Sequence, residues 1–173
     1  TRIYLCRFED ILEEMIADMT EAKLTGSLSH NFIVQMIPHH QAAIEMSNNL
    51  LQYTTFVPLQ NIAAHIIASQ TKSIAGMRAA LEQCSELPNT EQELCLYNRR
   101  FEQITPTMFT DMGNATATNH LNCNFMREMI PHHRGAIQMA ENTLRFPICP
   151  ALVPILQSII TSQQEGVCKM ERL

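Results

Sequence analysis

Apolar residues recur along this chain at three- and four-residue steps, in stretches divided by short polar breaks, which is the periodicity of helices with one buried face. Leu5, Phe8, Leu12, Met15 and Met19 form the first stripe, and Gly26 and Ser27 end it. A second helix is predicted from about Leu28 to Leu51, with Pro38 in its interior, where it removes one backbone hydrogen bond and kinks the rod. A third runs from about Pro58 to Gln83, starting on proline and facing a core with Leu59, Ile62, Ile66, Ile67, Ile74 and Met77. After the polar stretch Ser85-Glu86-Leu87-Pro88-Asn89-Thr90 the order repeats, with helices from about Leu96 to Met112, Leu121 to Arg145 and Pro150 to Lys169. β-branched alternation is lacking at any useful length, so strands are not expected. The pattern predicts an all-α bundle, a single domain of two three-helix repeats (1–84 and 95–173) joined by a linker (85–94) and related by a pseudo-two-fold.

The repetition is literal at one place. Met36-Ile37-Pro38-His39-His40 returns as Met129-Ile130-Pro131-His132-His133, an offset of 93 residues, and each copy continues into Ala-Ile-x-Met. The same offset pairs Tyr4 with Tyr97, Arg7 with Arg100, Phe8 with Phe101, Phe32 with Phe125, Ile66 with Ile159 and Gln70 with Gln163, as a tandem duplication requires. It also pairs Met15 with Met108, Met19 with Met112, Met36 with Met129, Met46 with Met139 and Met77 with Met170; only Met126 lacks a counterpart, Ile33 standing in its place. Methionine is normally an interchangeable filler of cores. Drift after duplication should have scattered these positions more widely.

That pattern carries a candidate chemistry. On a helix turning 100° per residue, His39 and Met46 lie about 20° apart and Met36 and His40 about 40° apart, so both imidazoles flank a methionine-lined face. In the second half, Met126, Met129 and His133 fall at steps of three and four, beside a parallel stripe of Met129, His132, Ala136 and Met139. Thioether sulfur binds Cu(I) well and harder ions poorly, while imidazole accepts copper in either oxidation state. The candidate metal ligands are therefore Met36, His39, His40, Met46, Met126, Met129, His132, His133 and Met139, with Cu(I) favoured and Cu(II) also accommodated.

Other ions suit the residues less well. A di-iron carboxylate bundle places Glu three residues before His, a spacing not found here; neither the paired Cys/His spacing of structural zinc nor an acidic calcium loop is present. Adjacent histidines could instead cap the backbone broken at Pro38, but capping needs one imidazole and both copies keep two. Of the remaining histidines, His65 reads as a polar residue on its helix and His120 as a solvated loop residue, while His30 shares a repeat column with Cys123.

Composition narrows the class further. A net charge of −5 without a Lys/Arg cluster leaves no nucleic-acid footprint, and no apolar run approaches the roughly 18 residues of a spanning helix. The first residue, Thr1, is consistent with a removed leader. Cys6, Cys84, Cys95, Cys123, Cys149 and Cys168 form no CxxC pair and never match between halves, which suits disulfide staples better than a duplicated metal site. Up-and-down threading puts Cys84, Cys95 and Cys149 at one end and the other three at the opposite end, with Cys84–Cys95 across the linker the first pairing to expect. Asn114-Ala115-Thr116 is a glycosylation sequon in a predicted loop.

The pattern Phe-x-x-x-Met-Ile-Pro-His-His-x-x-Ala-Ile-x-Met, from Phe32 and again from Phe125, followed by Ile-Ile-x-Ser-Gln and a Met seven residues on, resembles domain-of-unknown-function family 305 over nearly the whole chain. The resemblance implies a ferritin-like helical bundle, often exported, some members of which bind copper and support copper tolerance. It also implies Met36, His39, His40 and Met46, with Met129, His132, His133 and Met139, as ligands. Two departures stand out: Ser29 and Asn122 where members carry an acidic residue, and Ser73 and Gly166 where they carry Glu. Such carboxylates can support ligating histidines from behind.

The expected function is an exported copper-binding protein, without turnover, that buffers, stores or transfers copper, with a copper donor or acceptor protein as partner. Two other readings use the same residues. An open coordination position beside the kinks would suit a copper-dependent redox enzyme, and a disulfide-stapled helical interaction protein would keep the metal site only as a vestige.

Overall fold

The computed structural model describes residues 1–84, 87–115 and 117–173; Ser85 and Glu86 of the linker, and Thr116 of the sequon, lie outside the described residues. Six helices follow in order: α1 (Arg2–Thr20), α2 (Leu28–Leu51), α3 (Val57–Cys84), α4 (Glu91–Gly113), α5 (Leu121–Thr143) and α6 (Val153–Glu171), the last preceded by a 3₁₀ turn at Pro150–Leu152. Among the described residues there is no strand, and the protein is all-α. No helix is long and apolar enough to cross a membrane.

Local chemistry sets the helix ends. Ser27 caps α2, its hydroxyl accepting from the His30 backbone N–H at 3.3 Å. Thr90 and Glu93 form a reciprocal capping box that starts α4 at Glu91, well before the Leu96 predicted from the apolar stripe. The stripe of α1 also sits differently from expectation. Tyr4, Phe8, Ile11, Met15 and Met19 are buried, while Leu5 and Leu12 pack only at its flank, because the helix begins at Arg2 and turns Tyr4 inward to a partner on α5. Pro38, Pro106 and Pro131 lie inside α2, α4 and α5, which continue through them.

Two helices form the middle of the bundle. α2 packs against α1, α3 and α5, and α5 against α4, α6 and α2, while α3 meets α6. Residues 93 apart make matching bonds. Asn31 clamps Thr25 by two bonds of 2.8 and 2.9 Å, and Asn124 clamps Thr118 by two of 2.9 Å. Asn49 donates to the Tyr4 carbonyl at 3.1 Å as Asn142 donates to that of Tyr97 at 3.4 Å. These pairs fix the loops before α2 and α5 and tie each central helix to its neighbour.

The expected Cys84–Cys95 pairing is corrected. Cys84, at the end of α3, is bonded to Cys149, which leads into the 3₁₀ turn, with Cα atoms 5.4 Å apart. Cys95 is the fifth residue of α4, which the capping box starts at Glu91, and it is exposed like Cys6, Cys123 and Cys168. The disulfide ties the two halves together directly, beside a bond from the Cys149 N–H to the Ser29 hydroxyl at 2.9 Å. Ser29 is one of the two positions that lack the acidic residue.

Candidate metal centre

The contact between α2 and α5 is made by the repeated motif itself. His39 and His132, equivalent residues of the two halves, stack with ring centroids 3.6 Å apart and planes 18° from parallel. His40 and His133 flank the stack, their centroids 6.2 Å from His39 and 6.0 Å from His132 respectively. All four imidazoles are 2% exposed or less.

Three of the four rings have Nε2 placed by a neighbour. His132 Nε2 lies 2.9 Å from the His39 carbonyl; a carbonyl only accepts, so this nitrogen carries the proton. His40 Nε2 is 3.0 Å from the Ser73 hydroxyl on α3, and His39 Nε2 is 3.3 Å from the Met108 sulfur on α4. Nδ1 of His39, His40, His132 and His133 is in every case buried without a hydrogen-bonded partner. Neither member of the first pair caps the backbone freed at Pro38, since their Nε2 atoms go to Ser73 and Met108 and their Nδ1 atoms go nowhere.

Burial keeps the cluster uncharged. Desolvation pushes the pKa of His40 down to about 3 and that of His133 to about 4; the neighbouring His133 adds to the first effect, while the Met129 carbonyl one turn earlier opposes the second. His39 and His132 lie well below the ordinary 6.5, first through desolvation and then through the other imidazoles. Four neutral rings with free lone pairs are the protonation state that binds metal.

Of the residues singled out from sequence, Met36, His39, His40, Met46, Met129, His132, His133 and Met139 all fall in one buried core, while Met126 is only partly buried against its edge. Met108, which sequence pairing noted without assigning it a place, is the sulfur that touches a histidine across the two halves. It reaches inward because α5 carries Gly135 there: a Cβ at that position would collide with the Met108 side chain, sulfur first. Among the described residues no three His, Cys, Asp or Glu side chains are grouped as a metal site. His65 and His120 are exposed, and His30 turns its Nε2 to the Lys23 carbonyl at 3.2 Å, outside the cluster.

One buried acid also escaped the sequence reading. Glu128, one residue before Met129, is 2% exposed and accepts from the Tyr4 hydroxyl at 2.8 Å. Desolvation raises its pKa to about 8, against the lowering effect of that hydrogen bond, and the Tyr4 hydroxyl is raised in turn by burial and by Glu128. Its repeat partner is Gln35, which donates instead to the Met19 carbonyl at 3.3 Å, and Tyr97 is left with a buried, unpartnered hydroxyl. That substitution of Glu for Gln was the available signal.

Fold and cluster together define an all-helical protein whose two repeats meet at a buried histidine–methionine core. Residues 29–173 match DUF305, a domain of unknown function, and the chain belongs to that family. Among solved structures it is similar to CopM in the Cu(II)-bound form, at 27% identity, TM-score 0.62, covering 83% of this chain and 94% of the other. CopM in the Cu(I)-bound form aligns at 26% identity with the same TM-score, covering 87% of this chain and 95% of the other. A DUF305 fragment from Deinococcus radiodurans, at 20% identity and TM-score 0.60, covers 87% of this chain and 95% of that one and shares the fold. None of the curated proteins matches the sequence.

Proposed function

We propose that this protein binds copper at the interface of α2 and α5 through the paired histidines and the surrounding methionines, and that it buffers, stores or transfers the metal without turning over a substrate. The observation that carries the reading is the set of four unpartnered Nδ1 atoms in one buried cluster. A buried polar atom left unbonded costs roughly 1–3 kcal/mol, so four together are comparable with the whole stability of a domain, about 5–15 kcal/mol. A ligand that takes up those lone pairs removes the cost.

The donor chemistry narrows the ligand. Neutral imidazole with thioether, and no thiolate or carboxylate grouping, suits Cu(I) first and admits Cu(II); the similarity to a protein solved with both ions supports the same choice. Handling rather than catalysis is supported by access. The clefts at α4–α5, at α1–α2 and beside the loop before α5 are lined by none of the four histidines. The Cys84–Cys149 bond supports an oxidising, extracytoplasmic setting, with a copper donor or acceptor protein as the partner.

The test is a competitive Cu(I) titration against a chromophoric chelator, with the exposed thiols of Cys6, Cys95, Cys123 and Cys168 alkylated so that thiolate cannot contribute. Tight binding is expected, and it should disappear when His39, His40, His132 and His133 are all replaced by Ala in a protein that keeps its helical spectrum. Undiminished affinity in that variant would overturn the proposal.

A further inference from the structure

The two histidine pairs are not supported alike. His40 meets Ser73 through Nε2 at 3.0 Å. The position equivalent to Ser73 in the second half is Gly166, where even a Cβ would lie 2.9 Å from His133 Cδ2 and 3.0 Å from its Nε2. At that position α6 therefore offers His133 no side chain. His132 has its support from another direction, since its Nε2–H donates to the His39 carbonyl at 2.9 Å. A neutral imidazole that donates from one nitrogen presents its lone pair at the other, and a hydrogen bond behind a ligating histidine fixes that tautomer and raises its basicity.

We propose that Ser73 is a positioning residue which accepts the Nε2–H of His40 and so presents Nδ1 of that ring to the metal, making His40 a better-organised donor than His133, for which Gly166 supplies no equivalent hydroxyl. The inference rests on the copper-binding reading above and assigns the donor atom. Geometry carries it three ways: the Ser73 contact, the carbonyl contact that forces the same tautomer on His132, and the buried Nδ1 atoms left without partners in both rings. Ser73 stands where relatives were expected to carry Glu. A hydroxyl keeps the acceptor function and leaves out the charge.

Ser73→Ala and Ser73→Thr test it, in protein with alkylated surface thiols. In the metal-free wild type, long-range ¹H–¹⁵N correlation of histidine-labelled protein should show His40 and His132 protonated at Nε2, and Cu(I) should move their Nδ1 resonances and not their Nε2 resonances. Ser73→Ala should lose the single tautomer at His40 and bind Cu(I) roughly 10–100-fold more weakly, and Thr should restore both. Protonation of His40 at Nδ1, or wild-type affinity in a folded Ser73→Ala protein, would overturn this inference while the copper reading stands. Absence of Cu(I) binding by the wild type would overturn both.

Discussion

Acidification of the metal-free protein should strip its stability in a manner set by the buried imidazoles. His39, His40, His132 and His133 hold pKa values far below the ordinary 6.5, with His40 near 3 and His133 near 4. Below pH 6.5 the unfolded chain therefore binds protons that the folded one refuses, and stability falls with pH at about 1.4 kcal/mol per proton per unit. Lowering the pH from 6.5 to 5.5 half-titrates and then nearly saturates four unfolded histidines, a loss of about 4 kcal/mol. Glu128 works the other way. Its folded pKa is raised to about 8 from an ordinary 4.5, so its contribution is largest below 4.5, fades as pH rises through 8, and between those limits offsets about 1.4 kcal/mol per unit. The net fall is about 2.5–3 kcal/mol over that first unit and roughly 4 over the next, enough to unfold an ordinary domain near pH 4.5. Urea denaturation followed by circular dichroism across pH 4.5–7.5 measures this, and replacing His133 by Gln should remove about one proton from the acid-side slope. A stability that stays level down to pH 5 would refute the burial of neutral rings on which the calculation rests.

Three further outcomes follow from particular contacts. Tyr4→Phe deprives the buried Glu128 carboxyl of the hydroxyl 2.8 Å away and should cost roughly 1–3 kcal/mol in thermal or urea unfolding; an unchanged midpoint would mean that the carboxyl is solvated. Gly135→Ala places a Cβ in the Met108 side chain and should destabilise by about 1–3 kcal/mol while displacing the sulfur from His39, visible as an altered His39 imidazole resonance. Replacing Cys84 and Cys149 by Ser frees a loop with a sequence separation of 65 and should cost about 4 kcal/mol by loop entropy, whereas alkylating the four exposed thiols should leave unfolding unchanged.

The helical pattern was readable because each helix has a stripe to bury. The phase of α1 was not, since Leu5 and Leu12 are as apolar as Ile11, and only the Tyr4–Glu128 bond to a distant helix decides which face turns inward. The start of α4 is written in Thr90 and Glu93, a polar signal that an apolar stripe does not contain. Pairing of Cys84 with Cys149 depends on how α3 meets the turn before α6. The histidine–methionine motif announces itself by repetition, but the stacking of His39 on His132, and the approach of Met108 over Gly135, belong to contacts between the halves, which spacing within one helix does not encode. Ser73 and Gly166 stand out as departures from a pattern; that one meets the His40 ring and the other lies against that of His133 depends on how α3 and α6 pack on the motif.

X-ray absorption at the copper edge of Cu(I)-loaded, thiol-alkylated protein examines the central claim most directly. A first shell that mixes imidazole nitrogen with thioether sulfur, and loses its nitrogen scattering when the four histidines are replaced, is the predicted result. A shell of oxygen and nitrogen without sulfur, or one unaltered by those replacements, would place copper elsewhere and contradict the account.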